Sequence, residues 1–220
     1  MREIRQATRL KTGFTTGTCA AAAAKYALML LIGGELKNPG KITVTLPRHA
    51  TCEENATLTI HKSGLENDNA FCEIVKDAGD DPDVTHGAVI RADVFWNDLA
   101  KQSQKIEIYG GIGVGVVTRT GLPVAVGEAA INPVPRKMIT HEIGEVLLKY
   151  KINRQVKVVI SVPDGEQIAK LTMNARLGIV GGISILGTRG IVIPFSSAAY
   201  RASLAVTIKA ASENGLRHLV

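Results

Sequence analysis

The chain has 220 residues, 45% of them hydrophobic and 21% charged, which describes a globular protein with one sizeable core or two small ones and excludes a disordered one. Its net charge of +6 is unevenly placed: residues 1–110 carry 13 Lys and Arg against 14 Asp and Glu, and residues 111–220 carry 13 against 6. Either this charge only keeps the protein in solution, or an anionic partner meets the second half; with four Tyr, four Phe and one Trp available for stacking and no clustered basic run, a small polyanion fits that partner better than a nucleic acid.

The longest apolar stretch, Cys19 to Ile32, has 14 residues interrupted by Lys25, short of the roughly 18 that would span a bilayer. It predicts a buried helix and no membrane partner. The opening MREIRQATRLKTG lacks an apolar export core, so a cytoplasmic address is expected. Cys19, Cys52 and Cys72 are too few and too widely spaced for a disulfide framework or a zinc site, and read as reduced thiols with no resident metal.

In chain order, a threonine-glycine loop leads into the alanine helix, which Gly33-Gly34 closes. Lys41–Pro47 and Ala56–Gly64 alternate with the period of two that predicts half-buried strands, and Phe71–Val75 and Ala88–Phe95 are two further apolar runs. KIEIYGGIGVGVVTRTGLP reads as strand, glycine loop and strand, with turns closed by Pro133 and Pro135. RKMITHEIGEVLLKY is a helix with Met138, Ile139, Ile143, Val146 and Leu147 on one stripe and charges opposite. VKVVISVP is a buried strand, DGEQIAKLT a short helix capped by Asp164, and RLGIVGGISILGTRGIVIPF a glycine-punctuated β-segment. A last helix, SSAAYRASLAVTIKAASENG, precedes LRHLV, which starts like another strand. Strands come partly in runs and partly alternating with helices, so the expected class is α+β, a mixed α/β arrangement of mixed sheets packed with helices and not a Rossmann methyltransferase.

Several stretches bear chemistry. Thr15, Thr16 and Thr18 lie where a helix N-terminus offers unpaired N–H groups, so the start is either a capped core helix or a seat for an anion. The bulk-free Ala20–Ala24 let the helix lie flush on a sheet or admit a large flat ligand. KDAGDDPDVTHG gathers Asp77, Asp80, Asp81 and Asp83 before His86; it lacks the pattern of a calcium loop and reads as a solvated turn or as an acid/base cluster. IEIYGGIGVG is followed by a β-branched run and Pro123, not by a helix, and therefore fails as a nucleotide fingerprint. Gly178, Gly181, Gly182, Gly187 and Gly190 allow close backbone approach, and Arg136, Arg176 and Arg189 around them suit fork-like pairing with carboxylates.

The stretches TGFTTGTCAAAAAK, KDAGDDPDVTHG, GGIGVGVVTRTGLPVAVGEAAINPVPRKMI and NARLGIVGGISILGTRGIV, in this order, resemble the CbiD-type cobalt-precorrin-5B C1-methyltransferases of oxygen-independent cobalamin biosynthesis. The resemblance implies methyl transfer from S-adenosylmethionine to carbon 1 of a cobalt-bearing ring-contracted tetrapyrrole, giving cobalt-precorrin-6A, with cobalt present only in the substrate. It implies that Arg136, Arg176 and Arg189, with Thr15, Thr16 and Thr18, bind the substrate's carboxylate fringe, the threonines alternatively the methyl donor. His86 or Asp80 is the expected base, and Gly181, Gly182, Ser184, Gly187 and Thr188 the expected contacts of S-adenosylmethionine. Members of that family continue well past the position of Val220, which implies a main α+β domain over 1–195 and the start of a second α/β portion over 196–220. On that basis a corrinoid-binding piece whose cofactor site lies elsewhere is the alternative expectation. A homo-oligomer and handover contacts with other enzymes of the pathway are both left open.

Overall fold

Ala20, Ala21, Ala22, Ala23 and Ala24 are all fully buried, because the helix that carries them is sandwiched between a sheet and a second helix. A helix apolar on every side must be enclosed in this way. The computed structural model describes residues 10–33, 40–47, 54–97 and 106–216. A short strand β1 (Gly13–Phe14) leads into α1 (Thr16–Leu31), whose N-cap Thr15 is extended (φ −75°, ψ 160°) and whose end is turned by Gly33 at φ +66°. Then come β2 (Lys41–Thr45), β3 (Asn55–Thr59), β4 (Lys62–Glu66), β5 (Asn69–Val75), β6 (Val89–Trp96), β7 (Ile106–Gly110) and β8 (Val116–Val117). The chain continues through α2 (Pro133–Lys149), β9 (Val156–Ser161), α3 (Gly165–Ala169), β10 (Ile179–Val180), β11 (Ile191–Val192) and α4 (Ser197–Glu213).

The central sheet has the order β4-β5-β6-β9-β7, antiparallel throughout except for the parallel pair β7-β9. Its inner face is small where α1 crosses: Cys72 pairs with Ala92 and Ala70 with Val94, all of them buried. Alanine facing alanine and cysteine brings the helix close to the sheet, and α2 covers the other side of α1. The outer face carries ions and rings. Arg91 bonds Glu66, Glu73 and Asp93 and lies 4.1 Å over the Phe71 ring.

Several sequence expectations shift. The run 56–64 is two strands, not one: the chain leaves β2 at Ile60, whose N–H reaches Gly40 O, and joins β5 at His61, whose N–H reaches Glu73 O. Pro133 and Pro135 do not close the preceding turns but sit in the first turn of α2, where a missing N–H costs nothing. Glu142, expected on the charged side of that helix, is buried; it accepts from Thr45 N at 2.6 Å and pairs with Lys25 Nζ at 2.6 Å, tying β2 to both helices. Asp164 precedes α3 without making a side-chain cap bond. The glycine-punctuated segment holds only two two-residue strands and the isolated bridges Val114–Ile183 and Ile131–Ile185. Leu216 lies outside any strand, while Gly34, Cys52 and residues 217–220 of the expected final strand fall outside the described residues.

Candidate functional site

Three stretches far apart in sequence meet at the N-terminus of α1. Thr15 N donates to Gly190 O (3.1 Å) and Gly17 N to Leu186 O (2.8 Å). The hydroxyl of Thr16 donates to Leu186 O (3.0 Å) and accepts from Leu186 N (2.9 Å), and that of Thr18 donates to Gly190 O (2.5 Å). Thr15 Oγ1 accepts from Thr18 N (3.2 Å), the N-cap bond. The helix start thus holds the 186–190 segment with its own donors, and Thr16 and Thr18 are buried in doing so. Gly190, at φ +77°, has no room for a side chain: a Cβ there would lie 2.6 Å from Leu46 Cδ2.

The acidic loop 76–87 packs against the residues that lead into α1 and, at Phe195, against the stretch before α4. Phe14 N donates to Asp77 O (2.7 Å), Lys11 N to Asp80 Oδ2 (2.6 Å), Asp80 N to Lys11 O (3.0 Å) and Phe195 N to Asp81 Oδ1 (2.9 Å). Lys11 Nζ pairs with Asp77 Oδ2, and this bond, with that from Gly79 N, holds the Asp77 carboxyl below its ordinary range. Lys76 is 1% exposed and donates to Asp83 Oδ2 at 2.7 Å. Burial works against ionisation of Asp83, yet the bonds from Lys76 and from Thr85 outweigh it and keep that carboxyl below its ordinary range as well.

His86 is exposed, and its Nδ1 accepts from Ala78 N at 3.1 Å. The neutral ring therefore carries its proton on Nε2, so His86 offers a donor to a ligand. Asp80 is exposed too, and with Oδ2 engaged by Lys11 N it has Oδ1 left to accept.

The expected arginines lie on separate segments. Arg136 donates to Ile131 O (3.0 Å), Ile108 O (3.1 Å) and Ala129 O (3.4 Å) and lies 3.6 Å from Glu128, so its fork clasps the chain itself. It borders an open depression of about 280 Å³ lined also by Pro123, Val124 and Glu128. Arg176 and Arg189 are exposed and have no hydrogen-bond or ion-pair partner among the described residues. Of the expected donor contacts, Gly182 is wedged against Gly113, Ser184 Oγ faces Asn174 Oδ1 at 3.5 Å and Gly187 abuts Thr15, all inside the protein. Gly181 and Thr188 face solvent. Among the described residues no three His, Cys, Asp or Glu side chains are grouped to hold a metal ion, and no helix is long and apolar enough to cross a membrane.

Two features escaped the sequence reading. Arg119 lays its stem along Gly178, where a Cβ would come within 2.6 Å of its Cγ, and its guanidinium is also unpartnered among the described residues. Its neighbour Thr118 donates from both N and Oγ1 to the carbonyl of Gly178, which follows Arg176 by two positions in the chain. No spacing in TRTGLP signals this. Lys76 was legible: with Ile74 inward and Val75 outward, the strand alternation points position 76 inward as well.

The CbiD family model matches residues 3–194. A cobalt-precorrin-5B C(1)-methyltransferase of Geobacillus kaustophilus (strain HTA426) is 54% identical over 211 residues, covering 96% of this chain and 54% of that protein. One of the same name from Priestia megaterium is 50% identical over 221 residues, covering all of this chain and 58% of that one. The chain thus spans little more than half the length of these curated relatives. The 1.9 Å crystal structure of the cobalamin biosynthesis protein cbiD from Archaeoglobus fulgidus is similar with a TM-score of 0.63 and 31% identity, over 90% of this chain and 59% of that one. With the fold, the motif order and the family match in agreement over nearly its whole length, the chain belongs to the CbiD family.

Proposed function

We propose that this chain serves the methylation of cobalt-precorrin-5B at carbon 1, with S-adenosylmethionine as donor, in the cytoplasm. The observation that carries this reading is the identity of about half, along the whole chain, to proteins that bear that activity as their name. The reading is supported by the exposure of His86 and Asp80 on the acidic loop, which packs against the residues leading into α1.

S-adenosylmethionine supplies a methyl already activated on sulfur: the C–S bond breaks with its electron pair to sulfur as a pair from the macrocycle carbon forms the new C–C bond. The protein's task is alignment and charge placement. Arg119, Arg176 and Arg189, without an ionic partner among the described residues, pair with the carboxylate fringe. His86 Nε2–H donates to a ring or fringe oxygen or nitrogen, and Asp80 Oδ1 accepts a proton displaced from the macrocycle. Gly181 and Thr188 are the points open to the donor. In a methyl-transfer assay on cobalt-precorrin-5B, His86→Ala and Asp80→Ala should each lower kcat about 100-fold with KM little changed. Rates equal to wild type in both would remove these roles.

A second reading is favoured by the inward packing of Gly182, Ser184 and Gly187. In it this chain holds the macrocycle and the donor binds in the part of the relatives' length that it does not span. Calorimetric titration with S-adenosylmethionine separates the two: heat with this chain supports the first, and heat only with a full-length relative the second.

A further inference from the structure

α4 has 17 residues, of which only Ala210 and Ala211 are buried. Tyr200, Leu204 and Ile208, spaced i, i+4, i+8 on one stripe, are 65%, 43% and 55% exposed, and Phe195 just before the helix is 69% exposed. Val206 is exposed on the opposite side, and the helix has only three charges: Arg201, and Lys209 near Glu213 at 3.8 Å. A helix apolar on two sides is the pattern of an enclosed element, as α1 is in this same protein.

Both ends are nevertheless fixed. Ser196 Oγ caps Ala199 N (3.2 Å), Phe195 N is held by Asp81, and at the far end Asn214 Nδ2 donates to Thr120 O (3.0 Å) while Ala210 lies against Gly121. The helix is presented at a set angle with its apolar stripe bare.

We propose that α4 is a docking helix whose Tyr200–Leu204–Ile208 stripe is covered by the part of the relatives' length that this chain does not span. That occupant follows from length. Nearly half of the Geobacillus kaustophilus relative is unaccounted for, the family-model match ends at residue 194, and the Priestia megaterium relative matches this chain in full, α4 included. α4 is therefore an element shared with that relative, and its apolar stripe is of the kind with which an amphipathic helix fills an apolar groove. A second copy of this chain is the competing occupant.

Hydrogen–deuterium exchange tests this without reference to catalysis. The 220-residue chain should be monomeric by light scattering with α4 amides exchanging rapidly, and the aligned helix in the full-length Geobacillus kaustophilus protein should exchange at least 100-fold more slowly. Leu204→Glu with Ile208→Glu should leave the melting temperature of the 220-residue chain unchanged, whereas glutamates at the aligned positions should lower that of the full-length protein. A discrete dimer of the 220-residue chain dispersed by those two glutamates would make a second copy the occupant and overturn the proposal. So would rapid exchange of the aligned helix in the full-length protein.

Discussion

The Thr18 hydroxyl donates to the Gly190 carbonyl oxygen at 2.5 Å, joining residues 172 positions apart at the point where α1 begins. Thr18→Val keeps the shape and removes the hydroxyl donor, leaving Gly190 O with Thr15 N as its remaining donor, and should cost about 1 kcal/mol in urea unfolding. Gly190→Ala meets both a φ of +77° and the Leu46 and Pro47 side chains, and should cost about 1–3 kcal/mol. If both variants unfold at the wild-type midpoint, the 186–190 segment is not held at the α1 start as described.

Among the described residues Lys76 has one ionic partner, Asp83, whose side chain is 25% exposed. Asp83→Asn leaves the lysine uncompensated and should destabilise the fold by about 3 kcal/mol. The pH dependence has a definite sign. A carboxyl held below its ordinary value near 3.8 in the folded state contributes stability that is present above that value and is lost as pH falls through the folded one. Asp83 and Asp77 both act in this direction. Unfolding midpoints should therefore be flat from pH 7 to about 5 and drop below about pH 4, with a shallower drop in Asp83→Asn.

Burial pushes the thiols of Cys19 and Cys72 up to about 12. Cys19 gains little from its place in the first turns of α1, because desolvation dominates. In a Cys52→Ser background, neither thiol should react with a disulfide reagent at pH 8 until the protein is unfolded. Rapid reaction in the folded state would show the α1 start to be more open than its packing implies.

Much of the fold was legible in local pattern. The alanine run, the period-two stretch at Lys41–Pro47 and the stripe of α2 each formed the expected element, because each pattern matches a surface that is buried. What local pattern could not show was partner choice. Nothing in ATLTIHKSG says that the chain changes sheets at Ile60, and nothing in the threonines says whether their hydroxyls serve a ligand or the carbonyls of Leu186 and Gly190. Both depend on segments brought together only by the fold. Among the candidate site residues, the sequence grouped Asp80 with His86 by proximity, but the donor character of His86 Nε2 comes from Ala78 N–H, a backbone group visible only in three dimensions. Arg119 was hidden for the same reason: its kinship with Arg176 runs through Gly178.

The most direct test of macrocycle recognition is an absorbance titration of this chain with cobalt uroporphyrin III, a cobalt-bearing tetrapyrrole fringed with carboxylates, comparing wild type with Arg119→Ala/Arg176→Ala. The account predicts saturable binding by wild type, weakened by added salt, and a loss of at least 10-fold in affinity for the double variant. Equal affinity in the two proteins, or no binding by either, would contradict it.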